Sequence, residues 1–345
     1  MFFASDNASA VPPQILEALV RCNAGYEMPY GNDTVMDRVR ARLREVFEAP
    51  DAAVYLVATG TAANSLSLGC LCPPWGAALC HTTAHVQVDE CNAPEFFMDG
   101  GKLLQVPGDN GRMDPQALKD VLARLLPASI HNAQPSALTL TNATEMGTIY
   151  SPDQIAALTG PAKAAGLGTH LDGARFANAL VASGATPAEM TWKAGIDIVS
   201  FGGTKNGLMG VEAVIMFDSA KAREFELRRK RGAHLFSKHR YLSAQMEAYL
   251  ADDLWLDLAR RANASAARLA KGITAIDGGR LMHPVEANML FAEFPEAGHV
   301  RAKAAGAVFY NLGDLNGGSH LGARLVTSWS TTDADVDTFL SLLRG

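Results

Sequence analysis

Ile196-Asp197-Ile198-Val199-Ser200-Phe201-Gly202-Gly203-Thr204-Lys205-Asn206-Gly207 is the stretch on which the fold turns. Its first six residues are mostly β-branched or aromatic and predict a buried strand over 196–201. Glycines then flank a lysine on both sides. Such a lysine, straight after an apolar strand, is odd for a solvated side chain. Glycine allows close approach to the backbone, and a lysine amine is a Schiff-base nucleophile. An exposed loop lysine is the other reading of the same string.

Working outward, two more strand ends carry polar signals. The strand at 168–171 runs into Asp172-Gly173-Ala174-Arg175, which reads as a carboxylate placed at a strand end or as a helix cap with a surface arginine. The strand at 53–58 runs into Thr59-Gly60-Thr61-Ala62-Ala63-Asn64. A glycine turn opening a helix leaves N–H groups and the positive end of the helix dipole for an anion; an ordinary strand-to-helix turn is the alternative. It is neither a Walker P-loop nor a G-x-G-x-x-G fingerprint. Open α/β sheets bind ligands beyond the carboxyl ends of their strands. There, a lysine, an aspartate and a phosphate cradle are the three anchors of pyridoxal phosphate: imine former, partner of the pyridine nitrogen, and phosphate holder.

The remaining pattern sets the architecture. Strands are expected at 77–80, 102–106, 137–141 and 211–217, and helices at 34–47, from 61, at 114–125 and from Ser151-Pro152. This alternation means an α/β fold with a mostly parallel central sheet. After Gln245 the texture changes to a long helix at 252–271, strands at 288–294, 307–310 and 324–328, and a last helix at 333–343, a smaller C-terminal α+β domain. The expected division is an N-terminal segment 1–15 reaching the active site, a large cofactor domain 16–250 and a small domain 251–345.

Composition bounds the rest. The 345 residues are 48% hydrophobic and 19% charged with net charge -6, which argues against disorder and gives no support for a nucleic-acid or membrane partner. Five cysteines, an odd number among apolar or small neighbours, suit a reducing compartment and suggest no metal site. Met1 to Val11 lacks a basic, then apolar leader, and no apolar run reaches membrane-span length. A soluble cytoplasmic protein is the expectation.

Taken with Ser5-Asp6-Asn7, Tyr30-Gly31, Thr83-Ala84-His85, Glu90, Ile130-His131 and Arg324-Leu325-Val326, these motifs give a sequence that resembles the L-threonine aldolases, pyridoxal-phosphate enzymes of the aspartate-aminotransferase fold (fold type I). Asp89-Glu90-Cys91, Thr191-Trp192-Lys193-Ala194-Gly195 and Pro284-Val285-Glu286-Ala287-Asn288 look like the low-specificity and phenylserine-aldolase branch. The resemblance implies retro-aldol cleavage of L-threonine and related β-hydroxy amino acids to glycine and an aldehyde. It gives Lys205 the imine, Asp172 the pyridine nitrogen, and Gly60, Thr61, Asn64 and Thr204 further cofactor contacts. His85 stacks on the ring, and Arg175 reaches the cofactor's phenolic oxygen and the substrate carboxylate, which Arg324 and Ser5 also bind. His85, His131 and Glu90 are the base candidates. Tyr30, Lys238 and Arg240 would reach a neighbouring subunit's site in a homodimer or tetramer. The small-molecule partners are an amino acid and an aldehyde. A β-eliminating lyase of the same fold is the rival. One departure stands out: many members carry Glu-Asn-Thr-His-Asn where this chain has Thr141-Asn142-Ala143-Thr144-Glu145, so no role of that histidine transfers.

Overall fold

A computed structural model describes residues 1–314 and 320–345. The larger sheet holds β1 (Ala53–Val57), β2 (Gly76–His81), β3 (Lys102–Val106), β4 (Gln134–Thr141), β5 (Gly168–Gly173), β6 (Ile198–Gly202) and β7 (Glu212–Met216). Their spatial order is β1-β7-β6-β5-β4-β2-β3. From β3 to β6 neighbouring strands are parallel, and β7 alone runs against both its neighbours. Strands β2, β6 and β7 are buried along their whole length, as expected of a sheet covered by helices on both faces. Because β7 returns antiparallel, the turn after β6 is held at the carboxyl edge of the sheet, with Glu212 opposite Gly202.

Helix starts follow local chemistry. Asp114 accepts from Ala117 N at 2.7 Å with Pro115 in the first turn, and Ser151 and Gln154 cap one another reciprocally. Phe201 of β6 anchors the sheet's centre: its ring meets Phe47 at 5.7 Å, Phe176 at 5.9 Å and Trp255 at 5.4 Å between centroids, each edge-on. Such pairs add ~0.5–1.5 kcal/mol each beyond their buried area.

A second, antiparallel sheet comprises β8 (Arg280–Leu281), β9 (Met289–Pro295), β10 (Tyr310–Gly313) and β11 (His320–Val326), in the order β10-β11-β9-β8. The helix Leu254–Thr274 joins the two units: Leu258 and Ala259 belong to the first core, Leu269 and Ile273 to the second. That helix starts two residues later than the sequence suggests, because Asp252 and Asp253 adopt left-handed φ of 50° and 55° and break it from the helix Arg240–Leu250. The strand expected at 307–310 begins only at Tyr310. Val308 instead bridges to Phe2, and Phe3 bonds to Val308 O and to Val326 N, both at 2.8 Å. The amino-terminal residues are thus stitched into the second sheet, with Phe3 inside its core.

Candidate active site

Where β5, β6 and the helix Gly60–Leu71 converge, a cavity of about 250 Å³ is bordered by Gly60, Thr61, His85, Asp172, Lys205 and Asn7. Thr59 caps the helix: its hydroxyl takes Ala62 N at 3.2 Å and its carbonyl takes Ala63 N at 3.1 Å. The N–H groups of Gly60 and Thr61 have no protein acceptor among the described residues and sit at the helix's positive end, a ready anion site. A Cβ built on Gly60 would meet nothing within 4 Å, so the cradle is open. A larger cavity of about 660 Å³ near Arg112 and Tyr150 contains none of these groups.

The turn that carries Lys205 is fixed on both sides. Gly203 N donates to Glu212 Oε2 at 2.8 Å, Val211 N donates to Thr204 Oγ1 at 3.2 Å, and Asn206 Nδ2 donates to Tyr249 Oη and Trp255 O at 2.7 and 2.8 Å. Thr204, expected on the cofactor, turns its hydroxyl into these protein contacts while still bordering the cavity. The Lys205 amine has no hydrogen-bond or ion-pair partner among the described residues. The glycines around it answer to the protein itself. A Cβ on Gly202 would lie 2.4 Å from Ala174 O, on Gly203 2.7 Å from Val211 O, and on Gly173 2.6 Å from Ser200 O. What approaches the backbone there is the neighbouring strand end.

Asp172 is buried at the end of β5, its Oδ1 accepting Ala174 N at 3.0 Å and its Oδ2 accepting Asn64 Nδ2 at 3.0 Å. Asn64 Nδ2 also donates to Glu90 Oε1 at 2.9 Å, which lies 2.8 Å from His85 Nδ1. Asn64 sits a full turn inside its helix, borders the cavity and holds Asp172 through its Nδ2 bond. The Glu90 side chain is fully buried beside His85 at the edge of the same cavity. The Glu90 bond raises the His85 pKa, against burial, with Asp172 adding to the rise. His170, between Thr139 and Ser200 hydroxyls, is pushed down to about 4 by burial and is a neutral core histidine.

Arg175 is 5% exposed, and its Nε and Nη2 clasp both oxygens of buried Asp6 at 2.7 and 3.0 Å. One N–H of Nη2 and both of Nη1 remain for a ligand. Asn288 Nδ2 adds a bond to Asp6 Oδ2 at 3.0 Å. Arg324 differs: its Nε and Nη1 donate to Met289 Sδ at 3.2 Å and Ala4 O at 3.4 Å, its guanidinium lies 5.8 Å from the Tyr310 ring centroid, and burial, then the Arg175 charge, depress its pKa. Ser5 is a turn cap, its Oγ accepting Asn7 N at 3.2 Å and keeping its own O–H to donate. His131 is exposed before the start of β4, at the opposite edge of the sheet from the cavity, so this protomer's site does not include it. Tyr30 lies under Lys230, and Arg240 donates to Gly25 O at 3.0 Å, both outside the cavity, with Lys238 exposed. Sequence reading passed over Asn7 and Glu212, which border the cavity, and gave Asp6 no role. Glu145, in the string without the histidine, acts electrostatically on His85, Arg175 and Arg324. Burial pushes the Cys70 and Cys80 thiols up to about 12 and Cys72 up to about 11, leaving them protonated.

An unpartnered lysine, a buried aspartate and two unclaimed N–H groups at the carboxyl edge of a mostly parallel sheet fit pyridoxal phosphate and define the class as a lysine-anchored enzyme of fold type I. The comparisons narrow it. The beta-eliminating lyase family model matches residues 3–297. A low specificity L-threonine aldolase of Pseudomonas sp. is 42% identical over 334 residues, 97% of this chain and 94% of that protein. One from Pseudomonas aeruginosa is 41% identical over 342 residues, 99% and 96%. The solved threonine aldolase of Leishmania major superimposes with a TM-score of 0.93 at 28% identity, covering 99% of this chain and 98% of that one. The chain belongs to the beta-eliminating lyase family, among its low-specificity L-threonine aldolases.

Proposed function

We propose that this chain cleaves the Cα–Cβ bond of L-threonine, L-allo-threonine and related L-β-hydroxy-α-amino acids, L-phenylserine included, to glycine and an aldehyde, reversibly, with pyridoxal phosphate at Lys205. The observation that carries this is the unpartnered Lys205 amine beside the Asp172 carboxylate and the Gly60 and Thr61 N–H groups. When bound, the cofactor supplies the electron sink for the pair released from Cα–Cβ.

The chain's own groups do the rest. Asp172, fixed by Asn64 and Ala174, is the carboxylate that keeps the ring nitrogen protonated. The two N–H groups and the helix dipole hold the phosphate. Arg324 and the Nη donors of Arg175 that Asp6 leaves free take the amino acid's carboxylate, and so orient the bond to be broken. With Nδ1 anchored on Glu90, neutral His85 has Nε2 left to take the β-hydroxyl proton and to return it in the synthetic direction. Tyr30, Lys238 and Arg240 are read as parts of a neighbouring subunit's site in a dimer or tetramer. A cytoplasmic setting is consistent with the absence, among the described residues, of a helix long and apolar enough to cross a membrane.

Incubation of the purified protein with L-threonine is expected to release glycine and acetaldehyde, and Lys205→Ala is expected to abolish both this and the visible absorbance of the bound cofactor. Release of a 2-oxo acid with ammonia would instead identify an eliminating lyase and overturn the reading.

A further inference from the structure

Glu212 opens β7 opposite Gly202 of β6 and Val57 of β1, and is 5% exposed. Carboxyl groups are seldom buried without a partner. Its Oε2 accepts the Gly203 N–H at 2.8 Å, Thr204 favours its charged form, and it borders the same cavity as Lys205. Lys205 is the cation whose charge acts on it, Asp172 the anion, and Tyr249 of the helix Arg240–Leu250 the further titratable group facing it; β1 presents only Val57.

We infer that Glu212 is a positioning residue for Lys205, clamping the turn that bears the lysine and supplying the negative charge its amine faces from the sheet. This rests on Lys205 being the cofactor-bearing lysine. The clamp is visible directly: Gly203, two residues before Lys205, is tied to this carboxyl, Thr204 accepts from Val211 N beside Glu212, and Asn206 after it is tied to Tyr249 and Trp255. The backbone is therefore fixed while the amine stays free to move. The charge is adjustable. Burial pushes the carboxyl up to about 7, and its bonds to Thr204 and Gly203 and the Lys205 charge pull the other way. A group that ionises near neutrality changes the field at Lys205 across the working pH range. Its anionic form favours the protonated form of the lysine nitrogen, free or joined to the cofactor.

The test uses the holoprotein. Borohydride reduction and peptide mass spectrometry first locate the cofactor; an adduct away from Lys205 removes the reading beneath this inference, whatever Glu212 does. With the adduct on Lys205, Glu212→Gln keeps an acceptor for Gly203 N–H and removes the charge. It is expected to retain cofactor and melting temperature while the pH midpoint of the visible absorbance falls by about one unit. Glu212→Asp is expected to stay at the wild-type midpoint. An unchanged midpoint in Glu212→Gln, or an equal displacement in Glu212→Asp, overturns the inference. Should Glu212→Gln not fold, the wild-type titration decides. Over about pH 5–9 it is expected to depart from a one-proton curve, since two coupled groups titrate, and a one-proton curve overturns the inference.

Discussion

His85 holds its proton more firmly than a free histidine because Glu90 accepts from Nδ1; burial opposes this, and the charges of Asp172 and Glu145 add to it. A base must first be neutral, so the raised value moves the useful form of Nε2 to higher pH. Glu90→Gln keeps a hydrogen bond and loses the charge. It is expected to lower the His85 pKa and to shift the acid limb of log kcat/KM to lower pH by the same amount. An acid limb that stays in place would mean that His85 is not the group it reports. The stability consequence has a definite sign: a raised histidine pKa contributes stability that is complete below about 6.5 and is lost as pH rises through the folded value. Glu90→Gln therefore narrows the stability gap between acidic and alkaline buffer. Lys205 and Asp172 were legible in the sequence because each follows an apolar run in a glycine-bearing turn. The groups that tune them were not, since Asn64 reaches Glu90 across 26 residues and Asp172 across 108, and Asp6 reaches Arg175 across 169. Glu212 reads as the first polar residue of a strand, and only the register against Gly202 places it at the lysine turn.

Elements meet at the site through glycine and through one buried ion pair. The ends of β5 and β6 approach so closely that a Cβ on Gly202 would sit 2.4 Å from a backbone carbonyl, which cannot swing aside. Gly202→Ala is expected to destabilise by at least about 1–3 kcal/mol and to release cofactor. Gly60→Ala, with nothing within 4 Å, is expected to leave the urea midpoint near wild type. Equal midpoints for the two variants would show slack between the strand ends. The amino-terminal segment depends on Asp6. Although burial pushes its carboxyl up, Arg175 outweighs that and holds it below the usual aspartate range. A lowered carboxylate contributes stability above about pH 3.9 that is lost as pH falls through the folded value. Asp6→Ala leaves Arg175 buried without its counter-charge and is expected to cost about 3–5 kcal/mol at neutral pH, read by denaturant melts. A cost under about 1 kcal/mol would mean the pair is a surface-like contact. At this scale the apolar runs announced the strands of the larger sheet. The break at Asp252 and Asp253, and the capture of Val308 by Phe2, depend on contacts that no local pattern records.

At the scale of the whole molecule, the proposed function divides its groups between two cores. Lys205, Asp172, Gly60 and Thr61 border one cavity of the larger unit, while Arg324, which does not border it but feels the Arg175 charge, comes from β11 of the smaller one. Arg324 meets a thioether, a backbone carbonyl and the Tyr310 ring, and burial with the Arg175 charge outweighs the Glu145 and Asp6 charges, so its charge is costly where it sits. A substrate carboxylate would offset that cost, and in doing so would bridge the two cores. Arg324→Ala is accordingly expected to keep the melting temperature and the cofactor's visible absorbance, while KM for L-threonine rises by ~10²-fold, the loss typical of truncating one partner of a buried charge pair. Arg324→Lys is expected to recover only part of it, because a point charge cannot reproduce the guanidinium fork. The bridging itself has its own readout. Glycine, which retains the carboxylate and lacks the β-substituent, is expected to raise the melting temperature of the wild-type holoprotein by linkage and to leave that of Arg324→Ala unmoved. An Arg324→Ala protein that glycine still stabilises as fully as wild type would place the carboxylate on Arg175 alone, and would confine substrate recognition to the larger core.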